Sequence, residues 1–274
     1  MTTFRIKRYH PESDAKPNWQ SYELETDESM TILQALQQLR EKQDPTLSWR
    51  SSCRMGVCGS CAMVVNGQAV LACNTRVHAV DHKAVRIEPL ANLEVIKDLV
   101  TDLEPAMSHH KRLKPYIIRD DFEEHWEDGR ELRQTPAELL DYMQFSYCMK
   151  CCACISACPT VAIHAGFPGP MPLAQAHRYN TDTRDGGFEE RCEVVSEHTD
   201  LAHCHYAGEC SRVCPKGVDP ARAIQLMKRD MVMSLFRRKR RGPAKLVDPI
   251  PASPSGEMDE SLVPPERTVS HSDE

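Results

Sequence analysis

The sequence lacks the features that would suit it to membrane crossing, export or catalysis on its own. Its 274 residues contain no apolar run of ~18 or more, the length that carries a helix across a bilayer. The opening residues, MTTFRIKRYH, place no apolar stretch behind a basic one, so no secretory signal is expected. No G-x-G-x-x-G follows a strand-like run, so no nicotinamide or flavin site of the chain's own is expected. No nucleophile–base constellation stands out either. A net charge of −6 argues against nucleic acid as a partner. What the sequence does have is cysteine, with 13 residues. Thiols stay reduced in a chain kept on the cytoplasmic side, so these cysteines point to metal ligation, not to disulfides.

The pattern divides the chain in two, and its length suffices for two modest cores. Near the N-terminus, FRIKRYH alternates Phe4 and Ile6 with Arg5 and Lys7, and SYELE alternates Tyr22 and Leu24, as half-buried strands do. MTILQALQQLR sets Ile32, Leu36 and Leu39 on one helical stripe. AMVV and QAVL are strand-like runs joined by Asn66-Gly67, a strong hairpin signal. VRIEPL supplies a further strand. From about residue 96 the periodicity becomes helical. Thr135-Pro136-Ala137-Glu138 is a capping box with proline at the first helical position, and Asp219-Pro220 opens a second helix.

These signals predict an α+β chain. Residues 1–105 form a β-grasp, plant-type ferredoxin domain, and residues 106–236 an all-α, bacterial dicluster ferredoxin-type domain. Residues 237–274 form a tail, basic at first (Arg237 to Arg241) and then proline-rich and acidic, with a composition expected to be disordered. The basic run reads as a solvated end or as an anchor on anionic headgroups.

Each cluster type imposes its own spacing on cysteine. Cys53-x4-Cys58-x2-Cys61 with a distant Cys73 has the spacing of a plant-type [2Fe–2S] site. Gly56 and Gly59 leave backbone NH groups able to approach the sulfurs without a Cβ in the way. Zinc also accepts four cysteines, but its sites usually separate two pairs, whereas here three crowd one glycine-rich loop. The run Cys148-x2-Cys151-x2-Cys154-x3-Cys158-Pro159 follows the bacterial pattern, whose fourth cysteine serves the other cluster. That rule gives Cys148, Cys151, Cys154 and Cys214 to a [4Fe–4S] cluster, leaving Cys158, Cys204 and Cys210 for a third.

A full repeat would place a cysteine at position 207, where Ala207 has no donor atom. Three ligands suit a [3Fe–4S] cluster. A labile [4Fe–4S] with water or His205 on its fourth iron is the alternative. Cys152 and Cys192 fall outside the ligand register and read as small buried residues or spectators. His203 and His205 flank Cys204, but a Rieske site needs two cysteines and two histidines on one cluster, so His205 reads as a hydrogen-bond donor or a group facing the electron acceptor.

From about residue 4 to 230 the sequence resembles the iron–sulfur subunit of succinate dehydrogenase and fumarate reductase. SCRMGVCGSCAMVVNG and CPKGVDPARAIQ carry the two signatures. LANLEVIKDLV, KPYII, RQTPAEL, QFSYC and AHRYNTDTRD are closest to the fumarate reductase branch. The resemblance implies a non-catalytic electron-transfer subunit peripheral to the cytoplasmic face of a bacterial inner membrane. Its partners would be an FAD-carrying catalytic subunit and a membrane anchor with a quinone, menaquinone or ubiquinone, with any haem on the anchor.

By the same resemblance Pro159, Thr160, His205, Gln225 and Lys228 lie beside the quinone, Lys228 as a hydrogen-bond donor or, alternatively, as a solvated helix residue. Many succinate dehydrogenases carry tryptophan at the position of Ile163, a departure that leaves room for menaquinone or another pocket geometry. Rival readings are the relay of a different flavin-linked dehydrogenase, a soluble electron carrier, and a zinc-stabilised interaction module.

Overall fold

Alternation along the first strand explains how the N-terminal sheet is built. The computed structural model describes residues 1–81, 83–121, 131–164, 166–198 and 201–236. The basic run at 237–241 and the proline-rich tail lie outside the described residues. The first half comprises β1 (Thr2–Arg8), β2 (Asn18–Leu24), α1 (Ile32–Lys42), β3 (Ala62–Val65), β4 (Gln68–Leu71), α2 (Val77–Val80) and β5 (Ala84–Glu88).

The sheet order is β2-β1-β5-β3-β4. β1 is parallel to β5, with Phe4 opposite Val85 and Ile6 opposite Ile87, and antiparallel to β2, with Phe4 opposite Tyr22. All five of these side chains are buried. Asn66 (φ +47°) and Gly67 (φ +82°) turn β3 into β4 through the left-handed region that a two-residue hairpin needs. Thr31 and Gln34 cap α1 reciprocally, and its stripe of Ile32, Leu36 and Leu39 is fully buried. Burying each such side chain contributes roughly 1.5–3 kcal/mol.

One element departs from the periodicity. Helical structure was expected from about residue 96, but β6 (Val95–Lys97) and β7 (Val100–Thr101) form a short hairpin first. Its turn is fixed by tertiary contacts. Buried Asp98, at φ +47°, accepts hydrogen bonds from Arg8 Nε at 2.9 Å, Tyr9 N at 3.1 Å and Ser48 N at 3.0 Å. Arg8 also reaches Tyr22, Thr46 and Asp44, so one guanidinium ties together the sheet, the loop after α1 and this hairpin.

The second half is helical among the described residues, with α3 (Glu104–Arg112), α4 (Pro136–Ser146), α5 (Ala153–Ser156), α6 (Pro159–Ile163), α7 (Pro170–Thr181), α8 (Phe188–His198), α9 (Glu209–Arg212) and α10 (Pro220–Phe236). The Thr135–Glu138 capping box forms as expected. α7 is the central helix, buried continuously from Pro170 to His177 and packed against α3, α4 and α10. The two halves are joined at Asn92 (φ +61°). Its amide nitrogen lies 3.0 Å from Ile155 O and 3.1 Å from both Ser156 O and Cys158 O, at the end of α5.

His110 on α3 is buried, and its Nδ1 has no hydrogen-bond partner among the described residues. Burial, assisted by the charge of Lys150, pushes its pKa down from 6.5 to about 4. The unfolded chain therefore takes up this proton first as pH falls. Stability from neutral His110 is present above about pH 6.5 and is lost progressively toward about pH 4. His110→Gln is expected to flatten this part of the pH–stability curve in thermal melts, and an unchanged slope would contradict the assignment.

Candidate functional site

Three groups of thiols emerge, and all 13 cysteines are free of disulfides. The first has Cys53, Cys58 and Cys61 in the irregular loop between α1 and β3, and Cys73 just after β4. Arg54, Gly56 and Gly59 hold φ of +58°, +70° and +75°, curling the backbone so that its NH groups face inward. Cys53 Sγ accepts from Val57 N and Cys58 N at 3.3 Å each, Cys73 Sγ from Gly56 N at 3.2 Å, and Cys61 Sγ from Cys73 N at 3.5 Å. Cys58 is the exposed member. The Ser60 hydroxyl, then backbone NH groups, lower its pKa to about 6, whereas burial pushes Cys61 up to about 12.

In the helical half, Cys148, Cys151, Cys154 and Cys214 line one hollow of about 390 Å³, floored by Met171 and Val218. Cys158, Cys204 and Cys210 line another of about 330 Å³. Cys214 thus stands with the cysteines of the earlier run and Cys158 with those of the later one. Burial drives Cys151 and Cys210 up to about 11 and Cys154 well above the ordinary thiol range. Neighbouring thiolates repel one another there, so ionising them together requires a compensating cation, which iron supplies. The donor sets fit the clusters expected from the sequence.

The two cysteine runs also match in backbone. Lys150 (φ +59°) and Cys152 (φ +62°) flank Cys151, while Tyr206 (φ +59°) and Gly208 (φ +76°) flank Ala207. Each run then enters a four-residue helix, α5 or α9. Ala207 therefore occupies the backbone position of a ligand, at the rim of the hollow.

Pro159, Thr160 and His205 line this same hollow. Gln225 Nε2 lies 4.0 Å from Cys204 Sγ, and Lys228 Nζ donates to Cys204 O at 3.0 Å. Ile163 stands 78% exposed at the end of α6. Cys152 is buried in the wall of the hollow shared by Cys148, Cys151, Cys154 and Cys214, its thiol 3.7 Å from Lys150 O, and Cys192 lies half-buried on α8 and lines neither hollow.

Ser60 and Asn92 escaped the sequence reading. Ser60 carried a signal, lying two residues from Cys58, whereas the reach of Asn92 to a segment more than sixty residues away had none.

The loops of the first two sites touch. A Cβ built on Gly59 would lie 2.7 Å from Cys151 Cβ and 3.1 Å from Met149 Sδ. Farther along, α5 packs against α9, and Cys154 and Cys210 are close enough for their charges to interact.

A β-sheet ferredoxin-type domain followed by a helical dicluster domain defines a multicluster iron–sulfur protein. Residues 3–108 match the 2Fe-2S iron-sulfur cluster binding domain and residues 144–218 the 4Fe-4S dicluster domain, both iron–sulfur families and neither a zinc module. The fumarate reductase iron-sulfur subunit of Mycobacterium tuberculosis is 44% identical over 223 residues, 81% of this chain and 90% of that one. The corresponding Haemophilus influenzae subunit is 40% identical over 249 residues, 85% and 96% of the two chains. The mitochondrial succinate dehydrogenase [ubiquinone] iron-sulfur subunit of Candida glabrata is 33% identical, covering 84% of this chain and 91% of its own. A chain of the Mycobacterium smegmatis Sdh1 complex in the apo form shares the fold, with a TM-score of 0.73 at 24% identity over 86% of this chain and 98% of that one. The chain belongs to the family of iron–sulfur subunits of fumarate reductase and succinate dehydrogenase, non-catalytic electron-transfer subunits of that enzyme class.

The Gly59 contact gives a direct test. Gly59→Ala and Gly67→Ala both place a side chain at positive φ, but nothing lies within 4 Å of Gly67. Gly59→Ala is expected to destabilise the protein by a further ~1–3 kcal/mol through overpacking, seen as a lower thermal midpoint. Equal midpoints for the two variants would contradict the contact.

Proposed function

We propose that this chain relays electrons between the FAD of a catalytic flavoprotein subunit and a quinone held by a membrane anchor. It works as a peripheral subunit on the cytoplasmic face of the bacterial inner membrane. Among the described residues no helix is long and apolar enough to cross a membrane. In the domain of residues 1–105, Cys53, Cys58, Cys61 and Cys73 hold a [2Fe–2S] cluster. In that of residues 106–236, Cys148, Cys151, Cys154 and Cys214 hold a [4Fe–4S] cluster, and Cys158, Cys204 and Cys210 a [3Fe–4S] cluster. Bound clusters of these kinds supply one-electron redox chemistry.

The observation that carries this reading is the succession of contacts between the thiol groups. Gly59 adjoins Cys151, and α5 adjoins α9, so the second site lies between the first and the third. The protein fills the intervening space with its own backbone and side chains, which keeps the sites at fixed separations. Beside the third site, Pro159, Thr160, His205, Gln225 and Lys228 form the quinone-proximal group. Lys228 is held by Cys204 O in a place from which its charge can also serve a reduced quinone oxygen. Exposed Tyr206 lines this hollow, exposed Ile163 ends the helix that Pro159 and Thr160 begin, and both suit contact with an apolar anchor.

Ala207→Cys tests the assignment of the third site. The matching backbone of the two runs lets a thiol at 207 point as that of Cys151 does. The variant is expected to convert [3Fe–4S] to [4Fe–4S] and lower its potential. Its oxidised-state EPR signal should disappear, and quinone-linked activity should fall while flavin-linked activity with artificial acceptors survives. An unchanged oxidised-state signal would overturn the ligand set.

A further inference from the structure

The Ser60 hydroxyl lies 3.1 Å from Cys58 Sγ. Either atom can be the donor in a free thiol, but a thiolate bound to iron has no proton to give, so Ser60 must donate. The other sulfurs of this group are served by the backbone. Cys53 Sγ accepts from Met55, Val57 and Cys58 NH groups, Cys73 Sγ from Gly56 and Cys61 Sγ from Cys73. Cys58 Sγ accepts from Cys53 N, at the long distance of 3.5 Å. Among the described residues, Ser60 supplies the one side-chain hydroxyl that reaches any of these four sulfurs. Ser60 is half-buried, between Gly59 against the second site and buried Cys61, so its position is restricted on both sides.

We propose that Ser60 sets the reduction potential of the first site by donating its hydroxyl proton to Cys58 Sγ and so favouring the reduced state. The inference rests on the [2Fe–2S] assignment made above. Reduction adds one electron and one negative charge to the cluster and its thiolates. A hydrogen bond to a charged acceptor strengthens as that charge grows, so the hydroxyl stabilises the reduced state more than the oxidised one. Ser60 is a positioning residue that acts through Cys58. Cys58 is the exposed member of the four, so this contact lies at the open side of the loop.

The test is an EPR-monitored redox titration of the purified complex containing the full chain, comparing wild type, Ser60→Ala and Ser60→Thr. Ser60→Ala is expected to lower the [2Fe–2S] midpoint by about tenfold in the redox equilibrium, about 59 mV for a one-electron couple, without moving the other two clusters. Ser60→Thr keeps the hydroxyl and should keep the wild-type midpoint. A wild-type midpoint in Ser60→Ala would overturn the proposal, as would an equal shift in Ser60→Thr. A Ser60→Ala protein that no longer holds the cluster would also overturn it, because a tuning contact is dispensable for assembly. A wild-type complex lacking any [2Fe–2S] signal would instead remove the underlying ligand assignment.

Discussion

Thiols buried side by side can ionise together only if a cation joins them. Cys151, Cys154 and Cys210 are held well above the ordinary thiol range by burial, and their neighbours would add repulsion if deprotonated. Iron bound to these thiols would remove both penalties at once and would link cluster binding to folding of the helical half. The secondary structure around these thiols reflects that dependence. α5 and α9 are single turns, too short to be stable alone, and each is held between a left-handed residue and a following proline segment. The first loop uses a different means. It offers backbone NH groups to sulfur from a glycine-curled chain, supported by a sheet that folds around its own apolar core.

Fixed spacing between the sites follows from buried polar anchors. Arg8 binds Asp98, Asp44 and Tyr22, holding the hairpin before α3 to the sheet. Asn92 then fastens the ferredoxin-type half to the carbonyls of Ile155, Ser156 and Cys158, directly at the second and third sites. In the helical half, fully buried Arg191 pairs with Asp185 and binds the carbonyls of Lys114 and Tyr116. Rigid elements of this kind suit electron transfer, in which the protein's task is to position redox centres and tune them.

Much of this organisation was legible in the sequence because it rests on local chemistry. Asn66-Gly67 announced the β3–β4 hairpin, Ile32, Leu36 and Leu39 the face of α1, and Thr135 with Glu138 the start of α4. Cysteine spacing likewise grouped Cys214 with Cys148, Cys151 and Cys154, which line one hollow, and Cys158 with Cys204 and Cys210, which line the other. What was not legible depends on distant partners. The β6–β7 hairpin is set by Asp98 meeting Arg8 across 90 positions. α7 is buried nearly all round and so shows little amphipathic signal. The approach of Gly59 to Cys151 depends on how the two halves dock, and no short pattern records it.

The crossing of ligands between the two runs most directly distinguishes an interlocked pair of clusters from two independent ones. EPR of the purified complex with Cys158→Ser and with Cys214→Ser measures it. The account predicts that Cys158→Ser removes or alters the [3Fe–4S] signal and spares [4Fe–4S], while Cys214→Ser does the reverse. Each substitution affecting the cluster of its own run instead would contradict the account.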